Sequence, residues 1–137
     1  EGIRQFSWCK SAAHAAKYLV VTDEGALLAA SYPSQPAMLA AGVESADWSP
    51  APNSTQFVFS SNAQVTFADS AKPGATLATI AITHPDASDG DLIVESVSWA
   101  TPGAVVLAGV CAEDDAEGGD AYAMQLSLGG WDPAEGG

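Results

Sequence analysis

The 137-residue chain is long enough for one core, and its 47% hydrophobic residues with four tryptophans exclude a disordered segment. Seventeen acidic residues face only four basic ones, Arg4, Lys10, Lys17 and Lys72, for a formal net charge of −13. That balance argues against direct nucleic-acid binding, because phosphates are held by Lys and Arg that displace counterions, and it disfavours anionic membranes.

In chain order, a first segment at 3–8 (IRQFSW) precedes an alanine-rich stretch at 11–16, expected to be an inserted connection because six residues make a poor unsupported helix. Apolar runs follow at 18–22 (YLVVT) and 26–30 (ALLAA), separated by Asp23-Glu24-Gly25, with a weaker run at 36–41 (PAMLAA). A second round starts at 43–48 (VESADW) and continues through 56–60 (QFVFS), a turn at 61–63, 64–68 (QVTFA) and 75–82 (ATLATIAI). A third starts at 94–99 (VESVSW), runs through 104–111 (AVVLAGVC) and a long acidic loop to 121–126 (AYAMQL), and shows no fourth run. Runs rich in Val, Phe, Leu and Tyr, cut by Asp-Glu-Gly and Ser-Asn, are the chemistry of strands and hairpins. The apolar stretch 104–112 is about half the length of a membrane-spanning helix, so no membrane insertion is expected.

Each round opens with an aliphatic residue five positions before a tryptophan, and Trp8, Trp48 and Trp99 lie 40 and 51 residues apart, close to the length of a four-stranded propeller blade. The expected fold is all-β, a partial WD40-like β-propeller of about three four-stranded blades. The blades are expected at 1–41, 42–91 and 92–128, the last incomplete, with a flexible tail at 129–137. A β-sandwich is the structural rival, but sandwich strands need no self-similarity at blade length. The recurring Trp8, Trp48 and Trp99 are expected in the core between blades. Trp131 lies outside the repeat and is expected as an exposed linker residue or a partner anchor. The start at Glu1 and the glycine-rich end suit a piece of a longer chain.

The segment 43–50 (VESADWSP), with the strand, tight turn and 64–67 (QVTF) after it, resembles a WD40-type blade without its Trp-Asp signature. The next round, 95–100 (ESVSWA), 105–110 (VVLAGV), an acidic hairpin loop and 122–126 (YAMQL), resembles the N-terminal propeller of the cytoplasmic-filament nucleoporins. The resemblance covers about residues 1–128. It implies a seven-bladed, non-enzymatic ring at the cytoplasmic face of the nuclear pore, docking the DEAD-box RNA helicase of mRNA export. It also implies Phe-Gly repeats further along, and no Phe-Gly dipeptide occurs here. The remaining blades of the same parent chain would then be this segment's neighbours, and the helicase contact can lie partly or wholly in them.

Strands of a blade alternate in direction, so hairpins between second and third strands share one end of the disc with the connections between blades. That end receives Asp23 and Glu24, then Asp86, Asp89 and Asp91, then Glu113, Asp114, Asp115, Glu117 and Asp120. The last eight are the candidate protein-binding residues, and a basic protein surface is their natural partner. Charged loops kept solvated for solubility account for the same pattern. Lys10, Lys17 and Lys72 fall at the opposite end, beside Asp69.

No catalytic, cofactor or metal constellation emerges. His14 and His84 fall in different blades and at opposite ends, and neither has a further His or Cys at ligand spacing. The acidic loops at 86–91 and 113–120 are oxygen-rich but lack the EF-hand pattern. Gly118-Gly119 is flanked by carboxylates that repel phosphate. Cys9 and Cys111 lie in apolar segments and read as reduced thiols, which favours an intracellular setting. Two readings stay open beside the pore: a generic WD40-like scaffold, and a ligand-binding or enzymatic propeller with its site among Arg4, Glu44, Asp47 and Glu95 on the inner strands.

Overall fold

The runs of β-branched and aromatic residues become strands, and the polar punctuation between them becomes hairpins. A computed structural model of the chain describes residues 2–10, 16–31, 37–51, 54–69, 76–82, 92–101, 103–111 and 121–127, and among them all regular structure is β. The first sheet holds β1 (Ile3–Trp8), β2 (Lys17–Thr22), β3 (Leu27–Ser31) and β4 (Ala37–Ala40). The second holds β5 (Ser45–Trp48), β6 (Gln56–Ser61), β7 (Gln64–Asp69) and β8 (Thr76–Ala81). The third holds β9 (Leu92–Thr101), β10 (Ala104–Cys111) and β11 (Ala121–Ser127). Every neighbouring pair is antiparallel and each sheet keeps its strands in sequence order. Three such meanders, packed face to face, are a segment of a β-propeller; a sandwich would have two sheets.

The period of two in each strand divides its side chains between two neighbours. In β6, Val58 faces the third sheet while Phe57 and Phe59 face the first. The second sheet is therefore covered on both sides, which is why β6 and β7 read as continuous apolar runs. One core joins Leu19, Val21 and Leu27 of the first sheet to Trp48, Phe57 and Phe59. The other joins Val58, Val65 and Phe67 to Val97, Trp99 and Leu107.

Trp48 and Trp99, at 0% and 2% exposure, lie edge-on to Phe57 and Phe67 with ring centroids 5.8 and 5.2 Å apart. The two differ in one bond. Trp48 Nε1 donates to the Ser7 carbonyl at 2.9 Å, whereas Trp99 Nε1 is buried with no partner among the described residues. Trp8 departs from the expectation for all three: it is 50% exposed. Its ring packs against Phe6 and Tyr18 of its own sheet, and no sheet among the described residues lies on that side.

The strands β1, β5 and β9 are joined by side chains that bond the neighbouring backbone. Gln5 Nε2 donates to the Ala46 carbonyl at 2.8 Å and Gln5 Oε1 accepts from Ala46 N at 3.1 Å, so one amide occupies both groups of that residue. Ser45 Oγ donates to Gln5 Oε1 and accepts from Val97 N. Asp47 Oδ2 accepts from Trp99 N and from Lys10 Nζ, both at 2.8 Å, and Lys10 Nζ also donates to the Trp99 carbonyl at 3.1 Å. Asp47 thus ties all three sheets together. Close backbone approach fixes Gly109, beside a β-bulge, since a Cβ there would lie 1.9 Å from the Ile93 carbonyl oxygen.

Two outcomes are expected in urea unfolding. Asp47→Ala destabilises by about 1.5–3 kcal/mol, the range for bonds to a charged group, while the more exposed Lys10→Ala costs under about 1 kcal/mol. Trp48→Phe costs about 1 kcal/mol more than Trp99→Phe, because only Trp48 loses an indole hydrogen bond. Equal costs for the two tryptophans would show that the Ser7 bond contributes nothing.

Candidate docking surface

Ala81 pairs with Gln64, Leu92 with Cys111, and Ala121 with Val110, so these strand ends gather at one end of the sheets. The start of β5 joins them through Val43 N, which donates to the Gly25 carbonyl at 2.9 Å. Val94 N, at the same place in the next round, donates to the Asn62 carbonyl at 2.9 Å. The two described hairpins between second and third strands are therefore each fixed to the start of the following sheet. Val43 and Val94 are themselves fully buried, so the bonds that hold this rim belong to core residues.

The rim has unusual backbone at three described points, one of them Gly42 at φ 71°. Gly25 sits at φ 86° and Asn62 at φ 57°, the left-handed region that glycine enters freely and asparagine tolerates. The Gly25 turn is closed by bonds from Gly25 N to the Thr22 carbonyl and from Ala26 N to Thr22 Oγ1. Asp23, Glu24 and Glu44 are exposed here. Arg4 crosses among them: it donates to the Asp23 carbonyl at 2.9 Å and the Val43 carbonyl at 3.3 Å, and pairs with Glu44 at 3.1 Å.

The sequence places eight candidate residues in the two connections that spring from this end. Asp86, Asp89 and Asp91 precede β9, and Glu113, Asp114, Asp115, Glu117 and Asp120 lie between β10 and β11; all eight fall outside the described residues, as do His14, His84, Lys72 and the tail with Trp131. Of the three lysines expected at the opposite end, Lys10 is there and bound to Asp47. Sequence reasoning missed Arg4 as a cation set among the acids, and missed Gln5, Ser45 and Asp47 as joints between sheets. The available signal was the polar residue three positions before each tryptophan, Gln5, Ser45 and Ser96. Cys9 is a buried free thiol whose Sγ donates to the Ser54 carbonyl at 3.5 Å. Among the described residues no three His, Cys, Asp or Glu side chains gather as a metal site, and no helix is long and apolar enough to cross a membrane.

No protein-family model and no curated protein matches this sequence. Solved structures do match. The N-terminal domain of Nup159 matches at TM-score 0.61 and 14% identity, over 91% of this chain and 34% of that one. A complex of S. cerevisiae Dbp5 bound to Nup159, Gle1, IP6 and ADP matches at TM-score 0.62 and 12% identity, again over 91% of this chain and 34% of that one. The chain carries a Nup159-like β-propeller fold and spans about a third of the length of the solved chains it matches.

Gly25→Ala tests the rim. An alanine at φ 86° is strained, and its Cβ would meet Val43 N at 3.4 Å. The expected cost is about 1 kcal/mol or more, and hydrogen exchange at the Val43 amide speeds up beyond that of the rest of its core. Unchanged protection at Val43 would mean that the hairpin does not anchor the following sheet.

Proposed function

We propose that this chain is part of a non-enzymatic docking propeller of a nuclear pore nucleoporin. In this reading it stands at the cytoplasmic face of the pore and recruits a DEAD-box RNA helicase in mRNA export. The observation that carries the reading is the fold, matched over 91% of the chain to the Nup159 N-terminal domain and to a complex in which Nup159 is bound with Dbp5.

Charge supports the same reading. The net charge is −13, and eight of the 17 acidic residues fall in the two connections that join strand ends at the rim. The surface with which a helicase grips RNA is basic, because phosphates demand it, so an acidic rim is complementary to that surface and competes with RNA for it. The rim is also held by backbone bonds to core residues, which lowers the ordering cost of presenting its loops. Gln5, Ser45 and Asp47 are engaged in bonds between sheets, and Arg4 is engaged with Glu44 and two backbone carbonyls.

The test is the triple reversal of Glu113, Asp114 and Asp115 to Lys, made in the complete parent protein and titrated with the helicase across salt concentrations. Affinity is expected to fall on the order of tenfold at low salt, with a flatter salt dependence. Unchanged affinity would remove this loop from the interface.

A further inference from the structure

Two seams separate the three sheets, and the repeat lets them be compared position by position. Three residues past the cross-strand partner of the tryptophan, β2 places Val21 and β6 places Ser60, each facing the following sheet. Val21 is 1% exposed within an apolar cluster, whereas Ser60 is 0% exposed and its Oγ has no hydrogen-bond partner among the described residues. The tryptophans of the two seams differ in the same sense, since Trp48 Nε1 reaches the Ser7 carbonyl and Trp99 Nε1 reaches nothing described. Both orphaned groups belong to the seam between the second and third sheets. The seam between the first and second has none among the described residues.

Packing and bonding differ in the same direction. Phe57 and Phe59 fill the first seam from β6, and Val105 and Leu107 hold the corresponding places of β10 in the second. The first seam is crossed by both groups of the Gln5 amide, by the Trp48 indole, by Arg4 on the Val43 carbonyl and by Cys9 Sγ on the Ser54 carbonyl. The second is held through Ser45 Oγ with Val97 N, Asp47 Oδ2 with Trp99 N, and the Asn62 carbonyl with Val94 N. A buried polar group without a partner destabilises the closed state and regains water when its surroundings open. The first and third sheets each have one neighbouring sheet among the described residues, so position in the chain does not account for the asymmetry.

We propose that the seam between the second and third sheets is a built-in hinge, at which β9, β10 and β11 undock together while the first two sheets stay packed. Ser60 Oγ and Trp99 Nε1 bias it, because both gain hydrogen bonds to water on opening. The connection between β10 and β11 travels with the third sheet, so opening changes its placement relative to the Gly25 and Asn62 hairpins. The hinge is a property of core groups and stands whether or not that connection binds a helicase.

The repeat supplies matched reporters for the test. Val43 N and Val94 N each donate to a carbonyl of the preceding hairpin, and Ala46 N and Val97 N each donate to a side-chain oxygen of the preceding inner strand. Protection of these four amides is measured by native-state hydrogen exchange on the 137-residue chain. Protection at Val94 and Val97 is expected to be on the order of tenfold lower than at Val43 and Ala46. Ser60→Ala removes one orphan without breaking a bond, and is expected to raise protection at Val94 and Val97 on the order of tenfold while leaving Val43 and Ala46 unchanged. Equal protection at the two seams overturns the proposal. So does a Ser60→Ala variant in which Val94 and Val97 gain no protection, or in which all four amides gain it alike.

Discussion

An inner strand is by position the edge of its own sheet, and that constraint governs the rest of this molecule. β5 pairs with β6 on one side only, so the backbone groups on its other side have no ladder to join. Unpaired edge groups that lose water are costly, and left open they invite aggregation. Here neighbouring side chains take the place of a strand. Gln5 serves both Ala46 N and Ala46 O, Ser45 serves Val97 N, and Asp47 serves Trp99 N. The edges are thereby satisfied without fusing three sheets into one, and the sheets remain free to pack face to face. Packing then supplies the larger favourable contribution, because the two buried tryptophans are of the kind whose truncation costs about 3–5 kcal/mol each.

The sheets were legible in the sequence because their signals are local. Three tryptophan segments at blade-like spacing, alternating apolar runs and Gly or Asn turns each lie within one round of the chain. The joints were not, because they connect residues about 40 to 52 positions apart. A polar residue in alternation reads the same whether it faces water or the backbone of a neighbouring strand. Nothing in the pattern separates Gln5 and Ser45 from water-facing residues, and Asp47 enters it only as a polar residue of an inner strand. Trp8 failed for a related reason: the pattern assigns it a buried side, but burial requires a preceding sheet, and none among the described residues is there. The acidic candidates were legible only as charge, since no periodicity orients a loop.

The few cations explain how so acidic a chain holds a packed shape and still leaves its rim negative. Lys10 pairs with Asp47 and Arg4 with Glu44, so half of the basic side chains serve as internal joints. Lys10 acts at the end opposite the rim, where Asp47 is mostly enclosed and screening by salt is weaker. At the rim Arg4 offsets one carboxylate, but its other bonds go to the carbonyls of Asp23 and Val43, which fixes the hairpin more than it neutralises the surface. Asp23 and Glu24 stand exposed on a turn, where water solvates them and self-repulsion costs the core least.

Core and rim meet at Val43 and Val94. Their side chains are fully buried between sheets while their N–H groups hold the carbonyls of Gly25 and Asn62 in the preceding hairpins. A hairpin here cannot move without disturbing the neck of the next inner strand, and that strand carries the tryptophan seated in the core. The coupling runs through backbone groups at one position of the repeat, so it places no demand on the side chains of the loops above. Loops of any length or charge can be mounted on such a rim while the core stays the same. That separation lets a single blade pattern carry a short Asn62 turn in one sheet and a connection with five carboxylates in the next.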